Sequence, residues 1–132
     1  MAQNIVLIDG QAYNVQITEL KRKFAVTDTD NSGRTADYAM HRDIIGTFYN
    51  YSLKVFPVIG DTDSYNRFYE AISSPSRASH QVVFPYGNDT LTFQAYITQG
   101  EDGLMVRNGK NYWGLGEGLS LSFIAMEPQR RR

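Results

Sequence analysis

Cysteine is absent from this chain of 132 residues, which removes a disulfide framework, a thiolate zinc site and a cysteine nucleophile together. The absence fits assembly in a reducing cytoplasm. Histidine is nearly missing too, since only His41 and His80 are present. No charge excess of either sign exists: 13 Lys and Arg stand against 14 Asp and Glu, so no overall field draws the chain to nucleic acid or an acidic membrane. Apolar runs are strand-sized, as in Asn4-Ile5-Val6-Leu7-Ile8, well short of the roughly 20 residues that cross a bilayer. The opening Met-Ala-Gln-Asn lacks the positive start and apolar stretch of a secretory signal. The expectation is therefore no membrane partner, no specific nucleic-acid binding and no export by that route.

What is present is enough apolar surface to fold, with 42% hydrophobic and 20% charged residues. The length suits one domain over 1–132, with no repeat and no linker. Period-two alternation dominates. Ile5 to Ile8 and Tyr13 to Ile17 flank Asp9-Gly10, which predicts an opening hairpin, and Leu20 to Val26 reads as a third strand. Ile45 to Val55 reads as the longest strand, and His80 to Phe84 and Leu91 to Ile97 as two more. Leu104 to Arg107 and Lys110 to Trp113 flank Asn108-Gly109, a second hairpin signal, and Leu119 to Ala125 is the last strand. Tyr65, Phe68, Tyr69 and Ile72 share one face of a single short helix over about 62–73, started by the acidic Asp61 to Ser64 stretch and ended before Pro75. The fold class expected is mostly β: a sandwich or flattened barrel of about eight antiparallel strands with one helix.

Residues 27–43 interrupt this pattern. They show neither strand nor helix periodicity and read as a long loop or arm, which in a compact domain is usually functional. Asp28-Thr-Asp30-Asn31-Ser32-Gly33 matches the first half of a calcium loop, but Ala39 stands where the closing bidentate glutamate belongs. An Asx-type turn explains the stretch better. His41 with Asp43 lacks a nucleophile-elbow pattern, and the pairs Asp61/Asp63 and Glu101/Asp102 sit beside turn signals. Gly114, Gly116 and Gly118 lack the strand-to-helix setting of a phosphate cradle and instead permit a bend or close backbone approach. No cofactor, no metal and no catalytic residue is expected. Nine tyrosines, seven phenylalanines and Trp113 allow an alternative, a small carbohydrate-binding β-sandwich using exposed Tyr86, Tyr112 and Trp113.

Three stretches carry a family likeness: Asn31-Ser-Gly-Arg-Thr, His41-Arg-Asp-Ile-Ile-Gly-Thr-Phe-Tyr-Asn-Tyr, and Tyr112-Trp-Gly through Ser122-Phe-Ile-Ala-Met-Glu-Pro-Gln-Arg. Together they resemble small proteins encoded among the tail genes of bacteriophages and prophages of Gram-positive bacteria. The resemblance implies a non-enzymatic virion component of tail tube or tail tip, made in the bacterial host cytoplasm. It implies assembly into a ring of identical copies in contact with other tail proteins. The arm at 27–43 would lie against the next subunit, which makes Arg34, Asp37, Tyr38, Met40, His41, Arg42 and Asp43 the expected interface, joined by Arg130 and Arg131.

Overall fold

The computed structural model describes residues 6–28, 33–34 and 39–131, with backbone alone for Arg34 and His41. The elements in chain order are β1 Leu7–Ile8, β2 Val15–Asp28, β3 Gly33–Arg34, β4 Met40–His41, β5 Ile44–Pro57 and α1 Thr62–Ile72. They continue with β6 His80–Tyr86, β7 Asp89–Tyr96, β8 Gly100–Arg107, β9 Lys110–Ala125 and β10 Arg130–Arg131. Eight strands form one open antiparallel sheet, and β3 and β4 form a separate two-stranded ladder. The mostly β class with one short helix is as the sequence predicts.

The centre of the sheet is β5. It pairs with β2 on one side and with β9, then β10, on the other. Across β9 lie β7 and β8 in succession, with Ala95 opposite Ala125 and Gly100 opposite Leu121. Beyond β7 come β6 and then β1. Alternation sorts the faces. Tyr51, Leu53 and Val55 of β5 and Leu119, Leu121 and Phe123 of β9 are buried, while the partners Ser52 and Ser122 meet on the outer face, Oγ to Oγ, at 3.2 Å.

The β6/β7 hairpin and α1 supply the opposing apolar layer. The Tyr51 and Phe84 rings stack at 4.5 Å between centroids, and Phe84 meets Phe123 edge-on at 5.1 Å. Each fully buried side chain of this size contributes roughly 1.5 to 3 kcal/mol. The Tyr51 hydroxyl donates to the Pro85 carbonyl, so its polar end is also satisfied. Asp61 caps α1 by accepting from the Ser64 amide, and Tyr65, Phe68 and Ile72 face inward. Tyr69, predicted on the same face, is 39% exposed, because its position falls at the rim of that stripe.

Three expectations need correction. Asp9 and Gly10 do adopt the positive φ of a tight turn, closed by an Ile8–Gln11 bridge, but the hairpin goes no further: β1 pairs with β6, and β2 from Val15 pairs with β5 through a register shift between Ile17 and Glu19. Gly100 to Gly103 is strand, not turn, and the glycine-rich 114–118 lies inside β9. Close approach explains the glycines: a Cβ at Gly116 would stand 2.6 Å from the Leu104 carbonyl, and one at Gly118 would stand 2.7 Å from the Phe56 ring. Finally, 27–43 is not simply a loop. Thr27 and Asp28 belong to β2, and the β3–β4 ladder pairs Gly33 with His41 and Arg34 with Met40.

Candidate functional site

A strand of 14 residues such as β2 or β5 is about 45 Å long at roughly 3.3 Å per residue. Only part of that length lies over the core. Val15 is 4% exposed, whereas Phe24 further along β2 is 68% exposed, and Val26, Met40 and Ile45 are also exposed. The cause is the end of the opposing layer, where Tyr86 at the limit of β6 meets Tyr49 edge-on at 5.3 Å. The β2/β5 hairpin therefore projects past the core with its inward face still apolar. At its root, Arg22 sits 5.3 Å above the Tyr86 ring, and Arg130 and Tyr86 each donate towards the Tyr49 hydroxyl. The hydrogen bond from Tyr86, then that from Arg130, lower the pKa of Tyr49.

Toward the tip, Arg42 closes the hairpin on itself. Its Nη2 donates to Asp28 Oδ1 at 2.8 Å and to the Val26 carbonyl at 3.3 Å, and its Nε reaches both Asp28 oxygens at 3.1 Å. The hydrogen bond and charge of Asp28 raise the Arg42 pKa. Asp28, first ligand of the calcium-like half motif, is thus engaged by a guanidinium. Of the residues expected at an interface, Met40 is exposed beside this latch, Arg42 is turned inward to it, and Asp43 follows directly. Arg34 and His41 are placed by backbone in the ladder. Asp37 and Tyr38 lie outside the described residues. Arg130 and Arg131 form β10 against Thr47 and Gly46, and Arg131 pairs with Glu127 at 2.8 Å. A Cβ at Gly46 would strike the Arg130 carbonyl, so glycine is what lets β10 lie down.

The opposite side of the sheet carries a second projection. Along β8 and β9, Leu104, Met105, Val106 and Trp113 are all exposed around the Asn108-Gly109 turn. Among the described residues β2 and β8 each pair on one side only, β2 with β5 and β8 with β9. Between these edges the outer face is polar, forming an open groove of about 960 Å³ whose lining includes Glu19, Lys54, Ser120 and Glu101. Register places these four in one cross-strand row, Glu19 opposite Lys54, Lys54 opposite Ser120 and Ser120 opposite Glu101.

Trp113 lies with Tyr65, Asn66, Tyr69 and Asp102 around a small cleft, whereas Tyr86 belongs to the Arg22, Lys23, Phe24 and Tyr49 cluster. The sequence grouped these two aromatics on one platform, and the fold separates them. Sequence reading also missed the hydrogen bond between His80 and Asp9. His80 is 5% exposed and its Nδ1 lies 2.7 Å from Asp9 Oδ2, while Asp9 Oδ1 accepts from the Gln81 amide and from Arg77. Burial pushes the Asp9 carboxyl up, but the His80 hydrogen bond, the Gln81 amide and the charges of His80 and Arg77 together hold it below its ordinary value. These contacts fasten the turn after β1 to the start of β6 and to Arg77 just before it, and among the described residues His80 has no hydroxyl nucleophile as a hydrogen-bond partner. Of the other carboxylates considered for catalysis, Asp61 caps α1 and accepts from Asn14, and Asp102 accepts from Tyr65.

What the arrangement can do chemically is associate, through two strand edges and two apolar hairpins. No family model, curated protein or solved structure matches this chain.

Proposed function

We propose that this protein is a structural, non-catalytic subunit of a bacteriophage tail, in the tube or at the tip, which assembles into a ring with copies of itself and contacts other tail proteins in the virion. One observation supports the reading above the rest: among the described residues, the β2-β5-β9-β8 portion of the sheet ends on both sides in a strand whose outer edge is unpaired. An unpaired edge is a template for another strand, and natural proteins guard such edges unless they use them. Here the guards are of opposite sign. Lys21 and Lys23 stand on β2, with Glu19 paired to Lys21, and Glu101 stands on β8 opposite Ser120 of β9. Joining β2 of one copy to β8 of the next is a head-to-tail contact, and a head-to-tail contact closes into a ring when its rotation permits. The projecting apolar hairpin tips, the expected contact of 27–43 included, add surface that a neighbour would cover.

The test is mass in solution by light scattering, with electron microscopy of the purified protein and of the parent particle. Rings or tubes, and the protein's presence in purified particles, are the expected result. A protein that stays monomeric at high concentration and is missing from particles overturns the reading.

A further inference from the structure

The cleft beside α1 shares Trp113 with the β8/β9 projection, and its other lining residues play no part in the assembly reading. Tyr65, Asn66 and Tyr69 reach it from α1, Asp102 from β8 and Trp113 from β9, enclosing about 190 Å³. Tyr65 is 1% exposed, and its hydroxyl donates to Asp102 Oδ2 at 2.5 Å. Gly114, at φ +83°, brings the β9 backbone onto the Tyr65 ring so closely that no side chain fits between them. The floor of the cleft is therefore fixed. Its walls are exposed at Asn66, Tyr69 and Trp113, the last two at 39% and 51%.

Asp102 is half-buried, and among the described residues its one hydrogen-bond partner is the Tyr65 hydroxyl. No Lys, Arg or His of the described residues pairs with it. A carboxylate in such a position lacks its counter-charge, and aromatic faces around it carry the negative side of their quadrupoles.

We propose that this cleft binds an alkylammonium cation, of the quaternary or methylated type. The exposed rings of Tyr69 and Trp113 supply the aromatic surface that attracts a diffuse cation, buried Tyr65 holds Asp102 in place, and Asp102 supplies the net charge. An inorganic cation such as calcium needs six or more oxygen ligands, and the cleft offers one carboxylate, already sharing an oxygen with Tyr65. A sugar needs several polar partners to fix its hydroxyls, and with Tyr65 and Asp102 bound to each other the side chains of the cleft offer Asn66, the Tyr69 hydroxyl and the Trp113 indole N–H. The proposal does not rest on ring assembly.

Trp113 is the only tryptophan in the chain, so its fluorescence reports on this cleft alone. The intact protein is titrated at constant ionic strength with choline, with the uncharged carbon isostere of choline, and with N-acetylglucosamine. A saturable change with choline, and affinity at least about tenfold weaker for the isostere, is expected. Asp102→Asn should weaken choline by about tenfold. Tyr69→Ala, at a position too exposed to threaten folding, should weaken it in the same direction and carries the test if Asp102→Asn does not fold. An isostere that matches choline, saturation by the sugar without saturation by choline, or no saturation at all overturns the proposal.

Discussion

Single residues in this fold act through space they leave empty or fill completely. Phe84 is wholly buried between Tyr51, Phe93 and Phe123. Phe84→Ala should cost about 3 to 5 kcal/mol, read as a lower urea midpoint with little change in slope. Gly46 works the other way, since a methyl there meets the Arg130 carbonyl and the Pro128 ring. Gly46→Ala should cost about 1 to 3 kcal/mol by overpacking, with faster amide exchange at Arg130 and Arg131 as its local signature. Asp9 adds a pH dependence. Its folded pKa lies below the unfolded value, which is about 3.9. Its stabilising contribution is thus complete above that unfolded value and is lost as the pH falls through the lower folded one. Denaturation midpoints from neutral pH down to about pH 2 should fall less steeply for Asp9→Asn than for the native chain.

Elements were legible where they carry their own period. Ile45 to Val55 alternates cleanly and is strand; Tyr65, Phe68 and Ile72 repeat at helical spacing and are buried. The register of Asn108-Gly109 was equally plain, because both residues take the positive φ that such a turn requires. What the pattern hid was pairing. Asp9-Gly10 is as good a turn signal as Asn108-Gly109, yet β1 joins β6, since the His80 and Gln81 contacts that hold it come from far along the chain. Likewise, Arg42 reads as a surface cation until the fold brings Asp28 beneath it. Removing that latch should loosen the tip and leave the core alone. Arg42→Ala is therefore expected to speed amide exchange around Asp28 and Ile44 without moving the thermal midpoint, and a fall in global stability would show that the latch does more than close the tip.

At the scale of the whole molecule, the sheet was predictable but its open edges were not, because an edge is defined by the strand that is missing. No alternation in β2 or β8 distinguishes an outer strand from an inner one. The same holds for the cleft, where Tyr65 and Trp113 come from separate elements and Asp102 sits in a stretch that reads as a turn. The edges give the assembly proposal its sharpest test. Lys21→Glu with Lys23→Glu should leave the monomer folded and abolish rings, as light scattering and electron microscopy would report. Adding Glu101→Lys in the same chain should restore part of the assembly, which a purely non-specific loss would not do.

The place of β5 at the centre of the sheet also bears on how the chain reaches this structure. Its partners are β2, β9 and β10, and the outermost pairings join Leu7 to Val83 and Arg130 to Thr47. Few of these can form before distant segments meet, so the search is long-range and folding should take milliseconds to seconds. Until β9 and β10 arrive, β5 carries a second bare side beside the one β2 covers. During synthesis, the strand that organises the finished sheet is then also the one most open to pairing with the wrong chain.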